Sequence, residues 1–300
     1  MREEIERLIE EAKANFRQNP ARAEELARKA QALAHEIGDR AGLAKSWLNL
    51  AAVYYQTERY AEGINAAREA LALFTELDDM RGKARALNLV GICHRELGEM
   101  NKAMLAHQES LKWAEHIGDK NLLASILNNI GTVHNILADY PTALECLLKS
   151  LALFQELGDR YSEAGVRENI GIVYELNKEY GNALKEYQSA LTVFESLNLK
   201  KEIAGALVNI GKTFEALNDF ENARHALEKS LRLHEELNSL DGIATTKNSL
   251  ALVYEKKGED ERAIELCCEA LAICEQVSNK RLIATVCLDL GRLYSKKAKD

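Results

Sequence analysis

The chain has 300 residues, 47% hydrophobic and 29% charged, and its 39 basic and 47 acidic residues give a formal net charge of −8. That balance excludes a general affinity for nucleic acid, which needs a net basic face to displace counterions from phosphate. No run of about 18 apolar residues marks a membrane span, and the opening Met1-Arg2-Glu3-Glu4 lacks the apolar core of a secretory signal.

With two prolines and 17 glycines the chain has few helix breakers, so an all-α protein is expected, and without a signal or span it is expected to be cytoplasmic. In residues 3–17, Ile5, Leu8, Ile9, Ala12 and Phe16 follow the spacing of one apolar helical stripe. Asn19-Pro20 predicts an N-cap and first helical position for a second helix running to about Ile37. Gly38 is placed to end that helix in the left-handed conformation, and Asp39 to cap the next. The same punctuation returns as Asp78-Asp79, Gly118-Asp119 and Gly158-Asp159, then as Asn198-Leu199, Asn238-Ser239 and Ser278-Asn279.

These marks predict A helices beginning near 41, 81, 121, 161, 201, 241 and 281, and B helices beginning near 60, 100, 140, 180, 220 and 260. The expected organisation is one array over 1–300. Its seven helix pairs are 1–38, 41–78, 81–118, 121–158, 161–198, 201–238 and 241–278, followed by a half-repeat helix at 281–297.

Three registers, each 40 residues apart, support this division. Small residues occupy Ala51, Gly91, Gly131, Gly171, Gly211, Ala251 and Gly291; alanine occupies 44, 84, 124, 164, 204, 244 and 284; and Ala23, Gly63, Ala103, Ala143, Ala183, Ala223 and Ala263 form the third. A fixed period of this size marks stacked supersecondary units, each unable to bury its apolar face alone. Glycine in mid-helix costs about 1 kcal/mol relative to alanine, so its recurrence at Gly131 and its equivalents predicts close approach of another helix, with the Ala143 register opposite.

At these residues the chain resembles the tetratricopeptide repeat family. The family's bulky apolar residue, Leu-Gly pair and Tyr on helix A are matched by Trp47, Leu50-Ala51 and Tyr54, and by Leu127, Ile130-Gly131 and His134. Its small helix B positions are matched by Gly63 and Ala70, and by Ala103 and Ser110. The 40-residue period departs from the usual 34 and is more similar to Leu-Gly-Asn-repeat adaptors, kinesin light chains, bacterial response-regulator phosphatases and sensory regions of bacterial signalling enzymes.

The resemblance implies a right-handed α-solenoid superhelix of antiparallel helix pairs, whose A helices line a groove for a peptide or helical segment of another protein. Carried over one by one, the groove positions are Asn49, Asn88, Asn128, Asn129, Thr132, Asn169, Asn209, Lys212 and Asn248, with Lys45, Arg85 and Arg95 offering charge to an acidic partner. Asparagine is a poor helix former, so a ladder of it has two readings: amides that bind a ligand's backbone, or amides that bridge neighbouring helices internally. Leu89, Glu168 and Gly205 break the ladder and are where specificity or flexure is expected. The carboxylate clamp that grips chaperone C-termini fails, since Leu48, Asn88 and Asn128 stand where it wants lysine, and Ala52, Ile92 and Thr132 where it wants asparagine.

Catalysis, a metal and a cofactor are not expected. No zinc-protease His pair, phosphate loop or Gly-x-Ser-x-Gly turn is present, and His94, His134 and His107 fall in registers held elsewhere by Tyr54, Tyr174, Leu147 and Tyr187. The six cysteines read as reduced packing residues, Cys93 aligning with Val53, Cys274 with Phe154 and Cys287 with Trp47. Glutamates at 96, 168, 175 and 215 on A helices speak further against nucleic acid.

Helix 281–297 spreads Leu282, Ile283, Val286, Cys287, Leu288, Leu290 and Leu293 around much of its circumference. Either the chain is the N-terminal regulatory part of a longer signalling protein, or this face forms a homodimer. The leading expectation is a scaffold or sensor that binds a protein or peptide partner; the alternative is a structural assembly protein that oligomerises through that helix.

Overall fold

The computed structural model describes residues 1–16 and 19–298; Arg17, the last residue of the expected first helix, and residues 299–300 of the expected array lie outside them. The described residues form fifteen α-helices and no strand, and the chain divides into two compact units, Met1–Gly158 and Asp159–Asp300. The first unit holds α1 (Arg2–Asn15), α2 (Pro20–Glu36), α3 (Arg40–Gln56), α4 (Tyr60–Glu76), α5 (Met80–Glu96), α6 (Met100–Ile117), α7 (Lys120–Ile136) and α8 (Tyr140–Leu157). The second holds α9 (Arg160–Leu176), α10 (Tyr180–Ser196), α11 (Lys200–Ala216), α12 (Phe220–Glu236), α13 (Leu240–Lys256), α14 (Asp260–Val277) and α15 (Lys280–Lys297). Odd-numbered helices are the A helices, and from α3 onward each starts one residue before its expected position. The B helices from α4 onward start where expected.

The turns that follow α2 to α14 share one plan. A residue with positive φ closes each helix from α2 to α14, beginning Gly38, Glu58, Asp78, Gly98 and recurring every 20 residues to Ser278. The following N–H bonds the carbonyl five residues back, Asp39 to Ala34 and Arg59 to Tyr54 at 2.8 Å each, which satisfies carbonyls the helix end would otherwise orphan. The next helix then receives its cap: the side chains of Asn19, Asp39, Asp79, Asp119, Asp139, Asp159, Asp219 and Asn279 accept the backbone N–H three residues on.

Paired helices are matched by volume. A Cβ built on Gly91, Gly131, Gly171 or Gly211 would meet His107, Leu147, Tyr187 or Leu227 of the paired B helix at 2.5 to 2.8 Å. Where the A helix carries Ala51 or Ala251, the B helix carries the smaller Ala67 or Cys267 in the same buried cluster. The expected approach at Gly131 is therefore made first by a side chain, with the Ala143 carbonyl next at 3.1 Å. Similar matching joins successive pairs, as Phe74 of α4 covers Gly82 of α5 and His234 of α12 covers Gly242 of α13.

The alanine register at 44 has a second reason to be small. Buried Ser110, Ser150 and Ser230 donate their hydroxyls to the carbonyls of Ala84, Ala124 and Ala204 at 2.7, 2.8 and 2.8 Å, which needs the B helix close to the A-helix backbone.

On α15, Val286, Leu290 and Leu293 are buried, Leu282 and Ile283 half-buried, and Cys287 and Leu288 exposed. Cys287 thus departs from the packed position expected of it: Trp47 in the same register packs with Leu71 and Phe74 of α4, whereas α15 is packed on one side only, with nothing within 4 Å of a Cβ at Gly291. Cys268 is exposed and Cys146 half-buried, while Cys93, Cys267 and Cys274 are buried as expected.

Candidate functional site

In the first unit, α1, α3, α5 and α7 present one face side by side and enclose a cleft of about 470 Å³. Half-buried Phe16, Leu48, Leu89 and Ile92 form its apolar walls, and exposed Lys13 and Arg85 supply its charge. The side chains come together because residues 48, 52, 88, 89 and 92 lie three and four apart on their helices, the spacing that places them on one face.

The asparagine amides divide between the two readings. Asn49 is only 8% exposed, and its Nδ2 donates to the Ile9 carbonyl of α1 at 3.0 Å. Asn129 Nδ2 donates to Asn88 Oδ1 at 3.0 Å, joining α7 to α5. In the second unit Asn248, 6% exposed, donates to Asp289 Oδ2 of α15 at 3.0 Å and accepts the Cys267 thiol. These four residues link neighbouring A helices, and burial withdraws Asn49 and Asn248 from any ligand.

The remaining positions are more open. Asn128, Asn169 and Asn209 are half-buried, and Lys212 is exposed on α11. Thr132 is half-buried, but its hydroxyl donates to the Asn128 carbonyl one turn back, at 2.9 Å. Of the three cations expected at the groove, Lys45 and Arg85 are exposed, while half-buried Arg95 donates to Glu96 at 2.6 Å, so its charge is already compensated. Two ladder breaks stand out: Leu89 lines the cleft of the first unit, and Glu168 on α9 is a half-buried carboxylate that burial and neighbouring Glu202 push up to about 7.

Leu48, Ala52 and Ile92, read in the sequence only as failures of the carboxylate clamp, line the cleft. Their signal was present: three apolar residues at positions where the family's clamp demands polar ones. The histidines pack as expected and are also partnered, His94 to Glu99 and His134 to Asp139, each the N-cap residue of the following helix. His107 alone has both ring nitrogens buried without a hydrogen-bond partner among the described residues. No group of three or more His, Cys, Asp or Glu among the described residues is placed to hold a metal ion, and no helix is long and apolar enough to cross a membrane.

A family model described as Tetratricopeptide repeat matches residues 42–116, 122–196 and 162–236, and a second with the same description matches 243–281. The chain therefore belongs to the tetratricopeptide repeat family. No curated protein matches it. Among solved structures it is similar to the apo form of RapI, with 16% identity and a TM-score of 0.71 over 92% of this chain and 99% of that one. It is similar to a Signal Transduction ATPase with Numerous Domains protein with a tetratricopeptide repeat sensor from Pyrococcus horikoshii, with 17% identity and a TM-score of 0.75 over 99% of this chain and 45% of that one. A Rap protein complexed with Competence and Sporulation Factor gives 14% identity and a TM-score of 0.63 over 99% of each. At these identities the likeness establishes the all-α repeat fold. Tetratricopeptide repeats are in general non-enzymatic interaction modules, and the chain is accordingly a protein-interaction scaffold or sensor.

Proposed function

We propose that the first unit holds a peptide or helical segment of a partner protein in the cleft formed by α1, α3, α5 and α7. The observation that carries this reading is the cleft itself, about 470 Å³ with half-buried Leu48, Leu89 and Ile92 turned into it. Grooves of this kind take amphipathic segments by burying their apolar side chains. Asn128 and Asn129, and in the second unit Asn169, Asn209 and Lys212, supply further polar contacts on the A-helix faces. The seven pairs and α15 form one array, acting as the sensory part of a cytoplasmic signalling protein; the likeness to RapI and to the Pyrococcus horikoshii sensor supports that setting, as do six cysteines without a disulfide.

Affinity capture with the wild-type chain and with a Leu48→Asp, Leu89→Asp variant, compared by mass spectrometry, tests the cleft. A partner lost only from the variant supports it, and identical partner sets refute it.

A second reading, self-association through α15, is favoured by Leu288, which is 76% exposed beside Cys287. Light scattering across a concentration series checks it: a dimer mass that Leu288→Lys reduces to a monomer supports it, and a constant monomer mass removes it.

A further inference from the structure

We propose that the cleft of the first unit selects a segment carrying a large apolar side chain flanked by carboxylates; this deepens the peptide reading above and rests on it. Although acidic residues outnumber basic ones 47 to 39 along the chain, no Asp or Glu lines the cleft, whereas Lys13 and Arg85 do. Lys45 and Arg85 hold the same register on α3 and α5, both are exposed, and neither has an ion-pair partner among the described residues. Lys45 stands three and four residues before Leu48 and Asn49, on the face that lines the cleft.

Several other cations of the unit are compensated: Arg59 pairs with Glu24 at 2.9 Å, Arg81 with Asp119 at 2.7 Å, and Lys120 with Glu156. Of the cations at the cleft, Lys13 pairs with Glu10, which leaves the charges of Lys45 and Arg85 uncompensated.

Of the amides lining the cleft, Asn49 donates to Ile9 and Asn88 accepts from Asn129, while Asn88 keeps its own N–H groups and Asn121 is exposed. Such amides meet any backbone alike, so they do not choose between segments. Recognition falls to shape and charge: the apolar walls take one large side chain, and the Arg85 guanidinium, with its planar fork of donors, takes a carboxylate beside it. A basic segment would place like charges against Lys45 and Arg85 and is rejected by the same groups.

The test is selection from a random twelve-residue peptide library displayed on phage, against the wild-type chain and against a Lys45→Glu, Arg85→Glu variant. Both residues are exposed, and the variant's helicity and melting are checked by circular dichroism. The expected result is enrichment of a large apolar residue flanked by Asp or Glu on the wild type, and by Lys or Arg on the charge-reversed variant. A synthetic selected peptide should bind about ten-fold more weakly, or worse, when its Glu residues become Gln. Equal enrichment of neutral flanks, or a preference that charge reversal does not move, overturns the proposal. If such peptides are nevertheless lost with Leu89→Asp, the cleft reading survives without it; peptides indifferent to Leu89→Asp overturn both.

Discussion

Gly171 lies so close under the ring of Tyr187 that a Cβ on it would stand 2.5 Å from Tyr187 Cε1, while the Tyr187 hydroxyl is held by Glu175 at 2.8 Å. The ring is fixed at its far end and cannot retreat. Gly171→Ala is therefore expected to destabilise the second unit by about 1 to 3 kcal/mol through overpacking. Gly291→Ala, with nothing within 4 Å, should be neutral or stabilise by up to about 1 kcal/mol through helix propensity. Urea unfolding followed by circular dichroism compares them, and equal effects would refute the volume argument.

His107 gives the first unit an acid sensitivity. Burial, assisted by the positive charge of Arg95, pushes its pKa down to about 4, below the 6.5 of an ordinary imidazole. A base whose pKa is lower folded than unfolded binds its proton more readily when unfolded. Its cost to stability is therefore absent above about pH 6.5, grows as pH falls, and is complete near pH 4, on the order of 3 kcal/mol. His107→Leu, which copies Leu147 and Leu227, should flatten that part of the melting-temperature profile. A slope between pH 6.5 and 4 unchanged by the substitution would contradict the assignment.

The left-handed turn positions predict opposite outcomes for two substitutions. Ala138 holds φ 60 with a Cβ, and Gly98 holds φ 77 without one. Ala138→Gly should raise stability by up to about 1 kcal/mol and Gly98→Ala lower it by about 1 kcal/mol or more, because the left-handed region penalises a side chain. Thermal melts of the two variants check the sign.

Asn49 and Asn209 separate structure from binding. Asn49→Ala leaves the Ile9 carbonyl without its buried donor and should cost about 1 to 2 kcal/mol with no partner lost except through unfolding. Asn209 is half-buried and accepts from Thr213 only through its backbone carbonyl, so Asn209→Ala should leave stability within about 0.5 kcal/mol. Parallel melting and capture measurements on the two variants distinguish them.

The helices were legible because their punctuation is local: Asp39, Gly38 and Pro20 act within a few residues of where they stand, and each was read with the role it has. The period carried the rest of the fold. The fate of the asparagines was not legible, because the Asn88–Asn129 bridge joins residues 41 apart on two different A helices and depends on the spacing between them, and a donor–acceptor amide serves a ligand or a neighbour equally well. The cleft was half legible. Leu89 was noticed as a break, but the polar family pattern directed attention away from Leu48 and Ile92, whose meaning is apolar. Cys287 was misplaced because a register says which face a residue occupies and not whether anything covers that face.

The matched volumes have a bearing on how such a chain avoids misfolding. Near-copies joined end to end invite a helix to settle against the wrong neighbour, one repeat early or late, since the polar pattern and the turns would fit equally well. Here the mistake meets steric refusal: α9 shifted under a helix carrying Ala67 would leave a hole, and α3 with Ala51 set under Tyr187 would clash. Phe74 admits a following helix only with glycine at the position of Gly82. The sizes of the buried side chains thus tell the Ala51–Ala67 and Ala251–Cys267 hairpins apart from the glycine-bearing ones between them while the chain folds.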